Sequence, residues 1–184
     1  FHAQTAAEAA IKLHPQVAFD DIAHINIHTQ EPGVRIISKQ GPLTNYADRD
    51  HCIEYIVAWC LLNGNLDANS YTDEAASDSR IDSLREINST SENTEYTNRY
   101  YNLDERAIPN KVTVTLKNGD VMEEEVIYPL GHRERREESK PYLKQKFNNS
   151  LENTGLDQTF LSDAYNSLDL DKVEIYDILK KIYK

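Results

Sequence analysis

Residues 111–128 read Lys-Val-Thr-Val-Thr-Leu-Lys-Asn-Gly-Asp-Val-Met-Glu-Glu-Glu-Val-Ile-Tyr. Two alternating runs flank an Asn-Gly turn, the strongest short-range signal for an antiparallel hairpin. The pattern also selects a register. A two-residue Asn118-Gly119 loop would set Val114 against Glu123 and Val112 against Glu125. A three-residue loop, Asn118-Gly119-Asp120, instead pairs Leu116 with Met122 and Val112 with Val126, and places Thr113 and Thr115 opposite Glu125 and Glu123 on a wet face. The second arrangement is expected, with Glu124 left on the apolar face.

Outward from this hairpin, helices and short strands interleave without a βαβ rhythm. Gln4–Leu13 is alanine-rich and reads as a helix that ends at His14-Pro15, because a residue before proline is pushed out of the α region. Ile22–His28 alternates and reads as a half-buried strand. Pro32-Gly33 reads as a turn and Val34–Ile37 as a short second strand. The segment from Asp48 to Leu62 reads as one long helix, capped by Asp48, stopped at Asn63-Gly64 and apolar nearly all round in its second half. Asp78 caps a short helix through Glu86, whereas Asn88–Asn98 is polar and reads as irregular. A charged helix is expected over Glu134–Leu151, and amphipathic helices near 157–166 and 170–182. These elements argue an α+β fold with a small, mostly antiparallel sheet and packed helices.

The chain has 184 residues, and 20 Lys and Arg against 31 Asp and Glu give a net charge of −11. Such a surface repels phosphate backbones and anionic lipid, so neither nucleic acid nor a membrane is an expected partner. No apolar run approaches the roughly 18 residues that span a bilayer. Phe1, without Met or a leading cap, reads as part of a longer chain whose N-terminal partner is missing. Cys52 and Cys60 on one helix would lie about 12 Å apart along its axis, beyond disulfide reach, and two free thiols suit a reducing compartment.

Few constellations carry chemistry by spacing alone. His24 and His28 on a strand lie about 13 Å apart, too far to share one metal ion, and no metal site is expected. His132-Arg133-Glu134-Arg135-Arg136 is the densest cationic stretch. It reads either as a solvated helix turn paired with Glu138, or, since arginines in a first turn oppose the helix dipole, as a carboxylate-binding spot. His51 and Tyr55, at i and i+4 of the long helix, would share one face near its polar end and form either a proton-transfer pair or an ordinary boundary pair.

Longer motifs carry a resemblance. Phe1-His2-Ala3-Gln4-Thr5-Ala6 with Glu8-Ala9-Ala10 resembles the FHxQTAxEAA segment of the MmgE/PrpD family, in its dehydratase branch. Gly41 to Tyr55, GPLTNYADRDHCIEY, is similar to that branch's GPLxNPADRDHCLQY, with Tyr46 in place of proline. Asp78 to Arg85 resembles DPRIDxLR, with Ser79 in place of proline, and Tyr128 to Glu138 resembles YPIGHxxRRxEG. The resemblance implies a large all-helical N-terminal domain, absent here, and a smaller α+β domain spanning 1–150, followed by a C-terminal helical segment at 151–184 that returns to the helical part. It implies a homodimer that removes water from the tricarboxylate 2-methylcitrate to give 2-methyl-cis-aconitate in propionate breakdown, with no cofactor and no iron–sulfur cluster. It points to Tyr55 and His51 as catalytic, and to His2, Gln4, Arg49, His132 and Arg136 as substrate-binding. A bacterial source would make the protein cytoplasmic and a fungal one mitochondrial. By the same reasoning the chain alone is inactive. The alternatives are a cis-aconitate decarboxylase of the same family and a non-catalytic lid or dimerisation module.

Overall fold

A computed structural model describes residues 1–151 and, beyond them, 176, 179 and 180. The expected helices at 157–166 and 170–182 lie outside the described residues. The chain divides into two compact units, Phe1–Pro129 and Leu130–Lys184.

The first unit is built on a four-stranded sheet, β1 Ile22–Thr29, β2 Asn88–Glu92, β3 Asn110–Leu116 and β4 Val121–Val126, in the order β2-β1-β3-β4. Its β1–β3 and β3–β4 pairings are antiparallel and the edge pairing β1–β2 is parallel. The α+β expectation with a mostly antiparallel sheet therefore holds. Helices α1 Gln4–Leu13 and α4 Ile53–Asn63 pack together against the sheet, and α6 Ser79–Glu86 packs on α4. The core consists of their alanines and aliphatics closing on Ile25, Ile27, Val112 and Val114 of the strands. At one end of the helix pair His14 Nδ1 lies 2.8 Å from the Leu61 carbonyl, and Gly64 ends α4 with φ +67°.

The hairpin keeps a three-residue loop, but one residue earlier than expected: Lys117-Asn118-Gly119, closed by the Leu116 amide on the Asp120 carbonyl at 2.8 Å. Val114 consequently faces Met122, Val112 faces Glu124, and Thr113 faces Glu123. Lys117 is drawn out of the strand because its amide and ammonium reach the carbonyls of Asp21 and Asp20 at 2.8 and 2.6 Å. The slip is two pairing positions, so each side chain keeps its face. Glu124 is accommodated there by Lys12 of α1, at 3.0 Å.

Three other expectations are corrected. Residues 34–37 are not a strand but the end of α2 Glu31–Ile37. Pro32 sits in the first turn, where its missing N–H costs nothing, and Glu31 pairs with Arg35 one turn on at 2.7 Å. Residues 88–98 are not irregular: they hold the polar edge strand β2 and the start of α7 Thr94–Tyr101, which is capped by Asn93 accepting from the amides of Glu95 and Tyr96. The long helix from Asp48 is two helices, α3 Tyr46–Asp50, capped by Asn45 rather than Asp48, and α4, with Cys52 extended between them. The two residues that stand where the resembled motifs have proline, Tyr46 and Ser79, both fall on the first residue of a helix. That position favours proline but tolerates other residues.

Of the second unit, α8 Arg136–Leu151 is described, preceded by a turn whose cap is His132, accepting from the Glu134 amide at 3.2 Å.

Candidate active site

The break at His51-Cys52 separates the pair that an unbroken helix would have aligned. His51 is exposed beside Asp50, its Nδ1 bonded to the carboxylate, while Tyr55 is 2% exposed. A continuous helix would have dragged the polar imidazole into the core with Tyr55. The extended Cys52 avoids this, and the expectation that the two share a face is corrected.

Tyr55 associates with Arg49 instead. Its hydroxyl donates to the Ser70 carbonyl at 2.8 Å, and Arg49 donates to the next carbonyl, Tyr71, also at 2.8 Å. Arg49 is buried, pairs with Asp73 at 2.7 Å, and keeps a buried Nε without a partner. The Tyr71 ring stacks on Tyr55 at 6.2 Å, and Tyr46 lies 5.3 Å from it on the other side. Burial pushes the Tyr55 hydroxyl up to about 12, against the pull of the Arg49 and Arg85 guanidiniums. It is a proton-bearing donor at neutral pH and not a base. Arg85 reaches back to the Gly41 carbonyl at 2.7 Å and pairs with Asp82. Arg85 thus holds the start of the segment 41–55, while Arg49 within it and Tyr55 at its end tie it to residues 70–73.

Glu54 gave no sequence signal beyond being charged in an apolar run, yet it is buried. Its carboxylate accepts from Ser38 Oγ at 2.6 Å, Thr90 Oγ1 at 2.7 Å, the Lys39 amide at 3.1 Å and Cys52 Sγ at 3.3 Å. This ties α2, β2 and the start of α4 to one point. Burial, helped by the Glu54 carboxylate, pushes the Cys52 thiol up to about 11.

His2 stands at the other end of α2. Its Nδ1 lies 3.1 Å from Gln30 Nε2 and its ring packs on Tyr100 at 5.6 Å. Its carbonyl accepts from Asn110 Nδ2 at 2.9 Å, which in turn bonds Thr5 Oγ1 at 2.7 Å. Burial pushes His2 below the usual histidine range. Gln4 is exposed on the first turn of α1. Gln30, like Glu54, escaped the sequence reading. A buried polar residue next to Thr-x-x-Pro-Gly was the only available hint.

His132 and Arg136 belong to the second unit and are described there alone. A cleft of about 490 Å³ is lined by Arg133, Glu134, Arg135, Arg136, Glu137 and Glu138. Three arginines against three glutamates leave it formally neutral, and Arg135 is paired with Glu138 at 2.6 Å. This matches the solvated-turn reading better than a dedicated carboxylate receptor. His24 and His28, on the sheet face away from the core, each bond a serine of β2 at 3.1 Å.

The buried tyrosine, the buried guanidiniums and the histidine held by Gln30 all lie in the one small α+β unit Phe1–Pro129. The chain belongs to the MmgE/PrpD family: residues 1–162 match the MmgE/PrpD C-terminal domain. It is 54% identical over 153 residues to the 2-methylcitrate dehydratase, mitochondrial, of Yarrowia lipolytica, covering 80% of this chain and 29% of that protein. It is 47% identical over 157 residues to the probable 2-methylcitrate dehydratase of Saccharomyces cerevisiae and 45% identical over 157 residues to the 2-methylcitrate dehydratase of Escherichia coli, covering 82% of this chain and 30% and 32% of those proteins. The chain therefore spans less than a third of the length of these relatives. Among the described residues, no helix is long and apolar enough to cross a membrane.

Proposed function

We propose that this chain is the C-terminal part of a 2-methylcitrate dehydratase, a hydro-lyase that removes water from 2-methylcitrate to give 2-methyl-cis-aconitate in propionate breakdown. The observation that carries the proposal is the 54% identity to the Yarrowia lipolytica enzyme across four-fifths of the chain. In this reading residues 1–150 form the lid-like domain; the expected C-terminal helical segment, 151–184, lies almost wholly outside the described residues. The protein acts as a homodimer, in the mitochondrion if fungal and in the cytoplasm if bacterial.

The reaction takes a proton from one carbon and hydroxide from its neighbour, so it needs a base, an acid and cations for the carboxylates. Tyr55 suits the donor role, because burial keeps its proton on. In this reading His51 joins Tyr55 in catalysis, and His2, Gln4 and Arg49 of the first unit and, separately, His132 and Arg136 of the second are substrate contacts. The reading includes no iron–sulfur cluster; the two thiols of this chain are both buried.

The test is an assay of the full-length protein, without added metal, on 2-methylcitrate and on cis-aconitate. Rising enoate absorbance with 2-methylcitrate is the expected result. Loss of enoate from cis-aconitate with release of carbon dioxide would overturn it in favour of a decarboxylase.

A further inference from the structure

Gln30 is wholly buried at the head of α2. Its Oε1 accepts the Thr29 hydroxyl at 2.5 Å, and its Nε2 faces His2 Nδ1 at 3.1 Å. These bonds have a direction. An amide whose oxygen already receives a proton presents its N–H on the other side. A ring nitrogen that receives an N–H must hold a lone pair, so the imidazole proton sits on Nε2. We propose that Thr29 and Gln30 are positioning residues that lock His2 as the neutral Nε2–H tautomer, a hydrogen-bond donor for an oxygen of a carboxylate-bearing substrate. This rests on the reading of His2 as a substrate contact given above.

The surroundings agree. Burial, with the positive charge of Arg35, disfavours an imidazolium at His2. The groups packed on it are the Arg35 side of α2, the Tyr100 ring of α7, the Phe1 ring and the Asn110 amide of β3 on its carbonyl. None of these is a carboxylate that would draw a proton to Nδ1. The backbone of α2 serves the same end. A Cβ on Gly33 would overlap Thr29 Oγ1 and lie 3.1 Å from its Cγ2. Only glycine there leaves the hydroxyl where Gln30 needs it.

The experiment uses full-length protein labelled with nitrogen-15 in histidine, at about pH 8, above the ordinary histidine range. The His2 signals are those lost in His2→Asn. A bare, pyridine-type Nδ1 and a protonated Nε2 are expected. Thr29→Val lets the amide turn over and mixes the tautomers, whereas Thr29→Ser keeps the single form. In parallel, kcat/KM for 2-methylcitrate should fall about tenfold or more in Thr29→Val, as for loss of an aimed donor, and stay within about twofold in Thr29→Ser. Gln30→Glu, if it folds, moves the proton to Nδ1. An Nδ1–H signal in the unmutated protein, or identical spectra for the two Thr29 variants, would overturn the proposal. Absence of turnover with the expected spectra would instead overturn the dehydratase reading and leave the tautomer lock standing.

Discussion

Glu54 accepts four donors and faces no cation among its hydrogen-bond partners. Hydrogen bonds to a charged group are the stronger kind, but their removal matters most when it leaves donors buried and unmatched. Glu54→Gln turns an N–H toward at least one of these donors. It should cost about 1–3 kcal/mol in urea unfolding, more than Thr90→Val, which deletes one donor and leaves the carboxylate otherwise satisfied. Equal losses would mean that the carboxylate is not the hub. Tyr55 gives a second test. Its folded pKa, about 12, lies above the ordinary value of 10. Its contribution to stability is therefore complete below pH 10 and is lost as pH rises toward 12. Tyr55→Phe should unfold with a shallower alkaline slope over that window, and an unchanged slope would contradict the burial of the hydroxyl. Burial moves Tyr71 and Tyr96 the same way, so they contribute a background common to both proteins. The sequence showed these residues but not their partners. Ser38, Thr90 and Ser70 lie 15 to 36 positions from the groups they satisfy, and such pairings leave no local pattern.

Elements announced by their ends were legible, and those defined by tertiary contacts were not. The bounds of α1, the glycine stop of α4 and the Asp78 cap of α6 all follow local chemistry. Residues 34–37 misled because β-branched runs read as strand. The proline in the first turn and the Glu31–Arg35 pair are helical signals and prevail in the structure. Polar β2 was invisible to hydropathy because it is an edge strand: Thr90 turns inward to Glu54, and Ser89 and Ser91 turn outward to His24 and His28. Gly64 is the element whose replacement should be felt most locally. It has φ +67°, and a Cβ would lie 2.5 Å from His14 Cδ2. His14 donates from Nδ1 to the Leu61 carbonyl. Gly64→Ala should thus lower stability by about 1–3 kcal/mol, through both backbone strain and displacement of His14. Pairing it with His14→Ala should recover part of the loss in thermal unfolding. Full additivity would show that the imidazole does not sit against the glycine.

At the scale of the molecule the decisive quantity is charge. A net charge of −11 opposes a tricarboxylate before any contact forms. The buried guanidiniums that the fold brings to the 41–55 segment are each paired with a carboxylate, Arg49 with Asp73 and Arg85 with Asp82, both at 2.7 Å, which reduces the net positive charge they can offer. The family motif named the arginine at 49, but nothing in the sequence revealed that its partner would be Asp73, on another helix. If further cations come from elsewhere in the longer protein, the 184-residue chain should bind 2-methylcitrate only feebly by itself. Millimolar ligand against a dissociation constant ten times higher stabilises a fold by under about 0.1 kcal/mol, too little to move a melting midpoint. The isolated chain, if it melts cooperatively, should therefore show no ligand-dependent shift and no enoate absorbance, while the full-length protein shows both. Turnover by the isolated chain would refute this, and would mean that His2, Arg49, His51 and Tyr55 suffice against the field of their own domain. A midpoint shift without turnover would divide the labour differently, with substrate binding in this domain and the base supplied from outside it.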